Sequence, residues 1–295
     1  MATTTPVVTS GTSRRFSPRR LLTLLLLYAL LLYALLLLFA VLCVGPFLWL
    51  VSTSLRSGQD ILSYPPKLLP NPVFFESYID VWQAQNMPRF LLNTFIISFW
   101  GVLANLAMAA TAGYALARIY FPGRDIVFFL IVSTLVPPNT LNIVVNFITL
   151  VQLGLTDTFV GVVLPNAVTV FNVFLLRQAF LSIPRELEDA GRIDGANEFI
   201  LWWRVMLPLV RPALLTVTIL EFVAMWNIYQ WPLIALSDAN KFPLSVALSR
   251  LTVGELALNF GNIAAATVIS IIPVILIFLV LQRYFIEGLA GLVKG

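Results

Sequence analysis

The sequence predicts an all-α, polytopic membrane protein that crosses a lipid bilayer about six times. Apolar residues make up 59% of its 295 residues and charged residues only 11%, whereas soluble domains have about 45–50% and about 25%. The apolar residues fall in runs of about 20 or more, the length that a helix needs to cross ~30 Å of hydrocarbon. This excess extends along the whole chain, so a water-facing surface could not hold it.

The first apolar run, 21–51, follows a basic tail that we place in the cytoplasm (residues 1–20). The run is about twice as long as the ~7–15-residue core of a signal peptide, and no small-residue cleavage site closes it. We therefore expect a membrane anchor and first span. Cys43 lies inside the run and follows Leu42, where a lipid-attachment site would need a small residue, so we expect it to pack as a small apolar side chain.

The remaining runs predict five more spans within a single transmembrane domain, 21–295. They lie at 90–117, 126–150, 159–180, 207–233 and 263–285. A polar stretch with four prolines, at positions 65, 66, 70 and 72, separates the first two spans. It is too polar and too rigid for a membrane interior, so we expect an external loop.

Basic residues give the orientation. With both termini in the cytoplasm, thirteen of the 18 Lys and Arg residues lie inside, and only Arg56, Lys67, Arg89, Lys241 and Arg250 lie outside. This bias follows the positive-inside rule for short loops.

Several spans carry polar or small residues at helical spacing. In the second span small residues recur every four positions, which allows close helix packing in lipid: Gly101, Asn105, Ala109, Gly113 and Ala117. Polar residues of the third to fifth spans are candidates for a solute pathway: Asn139, Asn142, Asn146, Asn166, Thr169, Asn172, Glu221, Asn227 and Gln230. The alternative is that they hydrogen-bond between helices and only hold the bundle together. An ionisable residue at the depth of Glu221 costs at least ~2.5 kcal/mol, so it should face a protein interior or a wet cavity.

Two kinds of chemistry are missing from the sequence. It contains no histidine and no clustered acid pair, so a membrane-embedded enzyme would have no visible catalytic group, and we expect no metal site. It also lacks G-x-x-x-x-G-K-[ST], so it has no usual means of binding ATP. The basic residues lie at the ends of spans and form no face for a nucleic acid.

The segment 183–208, between the fourth and fifth spans, predicts a bent pair of cytoplasmic helices. Pro184 suits a first helical turn, and acidic residues follow it at the positive end of the helix dipole. Asp194-Gly195 should break the helix, because glycine adopts backbone angles that other residues avoid, and Asp194 should cap a second helix that runs through Phe199 and Trp203. A projecting helix-turn-helix of this kind needs a docking partner.

The same segment resembles the EAA loop of ABC importer permeases of the carbohydrate branch, with the pattern I-P-x-E-L-x-E-A-A-x-I-D-G-A and later L-P-L-x-x-P-A-L. The matching residues are Ile183, Pro184, Glu186, Leu187, Ala190, Ile193, Asp194, Gly195, Ala196, Leu207, Pro208, Leu209, Pro212, Ala213 and Leu214. Asp189 stands in place of the Glu and Gly191 in place of the second Ala, which should weaken an ionic contact and loosen the first helix. Further similarity lies in 114–118, in 226–233 and in the tail 288–295, which is similar to that of the second permease of maltose transporters.

The resemblance implies a bacterial inner-membrane permease that pairs with a second permease, an ABC ATPase dimer that binds ATP and Mg, and an external solute-binding protein. It also implies ATPase coupling by loop residues: Glu186, Glu188, Asp189, Ala190, Asp194, Gly195, Ala196, Phe199 and Trp203. Trp202 and Trp203 could instead belong to an interfacial aromatic belt. The solute is expected to be a sugar or a related polar molecule. An ion-coupled secondary transporter that uses Glu221 is the alternative, and it leaves the loop unexplained.

Overall fold

The computed structural model describes residues 18–61, 63–65, 69–84, 86–137, 139–253 and 259–293, and these residues contain helices but no strand. The chain divides into two compact units, Met1–Leu50 and Val51–Gly295. The first contains most of helix α1 (Pro18–Ser54). The second contains the remaining helices and all the contacts described below.

In the part of the chain that the structure describes, three helices are long and apolar enough to cross a membrane. They are the Leu25–Ser54 part of α1, all of α4 (Met87–Arg118), and the Phe260–Gln282 part of α15 (Phe260–Val293). Two bent pairs add up to two more spans, so the described residues hold three to five. The first, second and sixth predicted spans are therefore confirmed as long apolar helices. Residues 1–17 of the basic tail and the last two residues of the chain lie outside the described residues, and residues 18–20 form the start of α1.

Breaks interrupt the other predicted spans. The third is not one helix: α5 (Arg124–Ser133) is separated from α6 (Ile143–Gln152) by an irregular segment and a 3-10 turn at Asn139–Asn142. Pro137-Pro138 explains the break, because proline lacks the N–H that continues a helix. In the fourth, α7 (Phe159–Val163) and a 3-10 turn lead into α8 (Val170–Leu181) with a 51° bend.

The fifth predicted span also differs from the prediction. Its membrane helix is α12 (Arg211–Trp226), which ends before a short α13 (Gln230–Ala235). The predicted start at position 207 instead belongs to the preceding helical segment, Glu198–Leu209, which meets α12 at 79°. Pro212 in the first turn of α12 favours a new helix start at that point.

Helix α4 lies at the centre of the second unit and packs against α8 and α12, and α12 packs against α15. The small residues predicted to form a seam on α4 are all buried. An added Cβ at Gly101 would lie 2.7 Å from Met225 Sδ of α12, and one at Gly113 would lie 3.1 Å from the backbone nitrogen of Arg177 in α8. Close backbone approach therefore holds these helices together, as expected for packing in lipid.

Short helices and turns form one end of the unit, the end that the sequence analysis predicts to lie outside. They are α2 (Gly58–Ile61), α3 (Glu76–Gln83), a 3-10 turn (Ala239–Lys241) and α14 (Leu244–Leu251). The loop before α7 contacts the 3-10 turn Ala239–Lys241, because Lys241 Nζ donates to Asp157 Oδ2 at 2.6 Å. The backbone N–H groups of Asp238 and Ser237 also donate to Asp157 Oδ1, and together with Lys241 they lower the pKa of Asp157 to about 2.

At Gly161 of α7 two segments approach so closely that no side chain fits. An added Cβ would lie 2.3 Å from the carbonyl oxygen of Leu155 in the preceding turn. The carbonyl of Gly161 accepts a hydrogen bond of 3.0 Å from Trp231 Nε1 of α13. The glycine therefore fixes α7 against both neighbours.

Candidate functional site

Three of the helix breaks meet at one cavity of about 650 Å³. Its wall includes residues after α5, around the α7–α8 bend, and from the end of α12 to the start of α13: Thr134, Leu135, Pro165, Asn166, Val168, Thr169, Val170, Ile228, Tyr229, Gln230 and Trp231. Non-helical backbone exposes N–H and C=O groups, which membrane proteins tolerate only where the backbone is buried in protein or lines a water-filled cavity. Interrupted helices also form the solute sites of many transporters.

The cavity brings together five of the polar residues that the sequence marked as pathway candidates. They are Asn142, Asn146, Asn166, Thr169 and Gln230. Amide side chains both donate and accept hydrogen bonds, so they suit a ligand rich in hydroxyl groups. The cavity can therefore receive a polar, uncharged solute.

Asn172, Glu221 and Asn227 do not line the cavity. The side chain of Asn139 lies outside the described part of the structure. Asn227 lies next to the α12–α13 break, but its Nδ2 donates to the carbonyl of Val223 at 2.8 Å and it is not a lining residue. Asn172 and Glu221 lie behind the wall.

A buried polar cluster joins α4, α8 and α12 behind this cavity. Asn172 Nδ2 donates to Glu221 Oε2 and to Asn105 Oδ1, both at 2.8 Å. Glu221 is only 3% exposed, and its Oε1 has no hydrogen-bond partner among the described residues. Thr169, which lines the cavity, donates its hydroxyl to Glu221 Oε2 at 3.1 Å. Glu221 is therefore connected to the cavity through Thr169. Its hydrogen bond with Asn172 joins α12 to α8.

The loop between α8 and α12 consists of two helical segments joined at Gly195. They are α9 (Glu186–Ile193) and the run Glu198–Leu209, in which α10 (Glu198–Ile200), a π-helical turn (Leu201–Met206) and α11 (Leu207–Leu209) follow one another. Gly195 has a φ of 83°, the left-handed conformation that glycine adopts without strain. An added Cβ at Gly191 would lie 2.6 Å from Leu201 Cδ2, so this glycine allows the two segments to touch.

The cap of the second segment differs from the sequence prediction. Asn197 Oδ1 accepts a hydrogen bond from the backbone N–H of Ile200 at 2.9 Å, so Asn197 is the N-cap. Asp194, the predicted cap, lies at the end of α9 and donates its own N–H to Ala190. The turn through Gly195 and Ala196 places the start of the second segment three residues later than Asp194 would.

Most of the predicted coupling residues are on the surface of the loop. Glu186, Asp189, Ala190, Asp194, Gly195, Phe199 and Trp203 are exposed and Ala196 is half-buried. Phe199 and Trp203 are 68% and 59% exposed. The exposed acids and aromatic rings together form a surface that a partner protein could contact.

Glu188 differs from the other loop acids, because it is buried and cannot offer its carboxylate to a docking partner in this structure. Its Oε1 lies 3.0 Å from the guanidinium Nε of Arg118, the last residue of α4. Arg118 also donates to the carbonyl oxygen of Phe180, in the last turn of α8, and to that of Ile183, just after the helix. Arg118 was not among the predicted site residues, although a basic residue at the exit of an apolar span could have indicated one.

A second contact connects the loop to α4 one turn earlier. The hydroxyl of Tyr114 donates to Glu198 Oε2 at 3.0 Å, and Arg192 Nη2 lies 3.0 Å from Glu198 Oε1. The same guanidinium group lies 3.6 Å from Glu188 Oε2 and 3.4 Å from Asp189 Oδ1. Arg192 therefore links both segments of the loop. Its contact with Asp189 is made through the carboxylate oxygen Oδ1.

Comparison with known proteins identifies the class of this chain. Residues 109–290 match the family model described as "Binding-protein-dependent transport system inner membrane component". The chain belongs to this family. It is thus a multi-pass membrane permease subunit of an ABC importer, and not an enzyme.

Similar proteins carry sugar-transport names. The chain is 33% identical over 262 residues to the arabinooligosaccharides transport system permease protein AraQ of Bacillus subtilis, covering 88% of this chain and 93% of AraQ. It is 32% identical over 249 residues to the diacetylchitobiose uptake system permease protein NgcG of Streptomyces coelicolor, covering 83% and 82%. A crystal structure of a bacterial ABC transporter involved in import of the acidic polysaccharide alginate superposes with a TM-score of 0.80 at 30% identity, covering 92% of this chain and all of that chain.

Proposed function

We propose that this chain and a second permease form the membrane pathway for a saccharide, which an external solute-binding protein delivers. A dimer of ABC ATPases, which binds ATP and Mg, drives the transport. Both termini lie in the cytoplasm, as the basic residues indicate. The observation that carries the proposal is the cavity where Asn142, Asn146, Asn166 and Gln230 converge at three helix breaks.

The chemistry of the cavity supports a saccharide. Each sugar hydroxyl both donates and accepts hydrogen bonds, which amide and hydroxyl side chains match without adding charge. A volume of about 650 Å³ accommodates a small oligosaccharide portion. The names of the relatives, arabinooligosaccharides and diacetylchitobiose, are consistent with this class.

The loop supplies the connection to the ATPase. Asp189 makes an ionic contact with the ATPase, Gly195 supplies the turn, and Phe199 with Trp203 provides apolar anchors. Closure of the ATPase dimer then moves the loop and switches the spans between inward-open and outward-open states as rigid bodies. The exposure of these residues on one projecting loop supports this role.

Purification of the tagged chain from its own host in mild detergent tests the assembly. Mass spectrometry should identify an ATPase and a second six-span permease. Recovery of the chain alone, still folded and active in uptake without ATP, would contradict the proposal.

One observation favours a second candidate, an ion-coupled transporter: Glu221 is a buried carboxyl inside a span. Such a transporter would lose uptake when ion gradients are collapsed and would need no ATPase. The loop surface and the family of the chain both favour the ATP-driven importer.

A further inference from the structure

We propose that Arg118 and Glu188 are positioning residues that carry the movement of the loop to α8 and the cavity. The inference rests on the proposed function, because it assumes that an ATPase moves the loop. In this proposal the ion pair couples the loop to the cavity, and the movement passes through α4 and α8.

The pair is sealed from water. The side chains of Arg118 and Glu188 are only 4% and 5% exposed, and their nearest atoms are 3.0 Å apart. A buried pair is screened little by solvent and salt, so it resists separation better than a surface pair does. The guanidinium of Arg118 also binds two carbonyls at the end of α8, Phe180 and Ile183. Carbonyls at the end of a helix lack intrahelical partners, so this side chain closes α8 as well.

One residue of α4 therefore joins α9 to the end of α8. The Tyr114–Glu198 hydrogen bond attaches the second segment of the loop to the same helix, one turn earlier. Tyr114 is also packed edge-on against Phe180 with ring centroids 5.5 Å apart. Both loop segments are thus bonded to the end of α4 and should move with it as one body.

The covalent connection from the loop to α12 is less suited than α8 to transmit a movement. It passes the break at Val210, where the two helical axes differ by 79°. In contrast, α8 runs without interruption from Leu181 back to Val170. The residue before it, Thr169, lines the cavity and bonds Glu221. A displacement received by Arg118 can therefore reach the cavity wall along a single straight helix.

If the ion pair only stabilised the protein, its replacement would leave the amount of solute transported per ATP hydrolysed unchanged. Measuring this ratio therefore distinguishes a structural role from a role in transmitting movement. A variant with one charge removed leaves the other buried charge unpaired, which itself destabilises a protein. Replacing both residues in the double variant Arg118→Met, Glu188→Met leaves no unpaired charge, so assembly should recover if the pair only stabilises.

The experiment uses the whole importer with its own ATPase, second permease and binding protein, reconstituted in proteoliposomes. Glu188→Gln, the double Met variant and Tyr114→Phe are compared with wild type for ATPase co-purification, ATP hydrolysis and uptake. We expect the ATPase to co-purify with all three variants. We expect the transport-to-hydrolysis ratio to fall about tenfold in the first two variants and about threefold in Tyr114→Phe. Asp125→Asn, which removes an exposed cytoplasmic carboxylate of α5, is the matched control and should keep the wild-type ratio.

Three results would overturn the inference. A wild-type ratio in the double Met variant would make the pair structural only. Loss of ATPase co-purification would mean that these residues shape the docking surface and do not transmit movement. If the double variant fails to accumulate, Tyr114→Phe decides, because it removes a single hydroxyl, and a wild-type ratio there would contradict the connection to α4. Absence of ATP-dependent uptake by the wild-type importer would instead contradict the proposed function.

Discussion

Replacing Glu221 with leucine should weaken the three-helix cluster behind the cavity. The change removes the acceptor of two hydrogen bonds, from Asn172 Nδ2 at 2.8 Å and from Thr169 Oγ1 at 3.1 Å. Hydrogen bonds between membrane helices contribute ~0.6 kcal/mol on average and up to ~1.7. Leucine has a similar volume, so little cavity forms. We expect a loss of about 1–3 kcal/mol in the free energy of unfolding.

Two milder variants give a graded series. Thr169→Val removes one of the two hydrogen bonds and should cost about half as much as Glu221→Leu. Glu221→Gln keeps the shape and one acceptor oxygen, so it should cost less than about 1 kcal/mol.

Reversible unfolding of the purified variants in mixed micelles, followed by helical circular dichroism, measures the series. Equal stability of wild type and Glu221→Leu would refute the conclusion that this cluster stabilises the packing of α4, α8 and α12. Uptake gives a second test. Because Glu221 does not line the cavity, Glu221→Gln should keep uptake within about twofold of wild type. Lost uptake with intact assembly would show that Glu221 acts in the pathway.

Four further predictions follow from single positions. Gly195→Asp should accumulate in the membrane and lose transport, because the left-handed turn costs an L-residue ~1–2 kcal/mol and the new charge lies on the docking surface; normal uptake would exclude the coupling role. Gln230→Leu should reduce uptake about tenfold, because it removes an amide that lines the cavity. Asn227→Leu removes an amide outside the cavity wall and should change uptake less than twofold; equal effects of the two variants would show that the cavity does not serve transport. Gly161→Ala should destabilise the protein by at least ~1–3 kcal/mol, because backbone blocks the added methyl group; an unchanged melting temperature would show that α7 can shift. The pKa of Asp157 is lowered from 3.8 to about 2, so its ion pair stabilises the folded state fully above the unfolded value and is lost as pH falls to about 2. The melting-temperature difference between wild type and Asp157→Asn should therefore stay constant from pH 7 to about 5 and disappear near pH 2; a difference that disappears near neutral pH would contradict this.

Features set by local chemistry were predicted well. The first, second and sixth spans follow from apolar length alone, and the buried seam of α4 follows from four-residue spacing. The resemblance of 183–208 to a known loop identified the family that the comparison establishes. Five pathway candidates do share a cavity, because polar groups beside helix breaks are costly to bury unless they face one another or water.

Features set by tertiary contacts were not predicted. The break of the third span is not of this kind, because Pro137-Pro138 indicates it in the sequence, although apolar length alone predicted one span at 126–150. The acids of α9 look alike in sequence, yet Glu188 is buried against Arg118 while Asp189 is exposed. Their difference depends on which side of α9 meets α4. The cap moved from Asp194 to Asn197 because the geometry of the glycine turn decides where the next segment begins.

In the proposed function, ATP hydrolysis by a partner subunit drives a saccharide through this permease. The most direct test is uptake by proteoliposomes that contain the complete importer, supplied with the solute-loaded binding protein, with ATP either present or absent in the lumen and with ionophores that collapse proton and sodium gradients. We expect uptake to require ATP and to persist without the gradients. Uptake that continues without ATP and stops when the gradients collapse would contradict it.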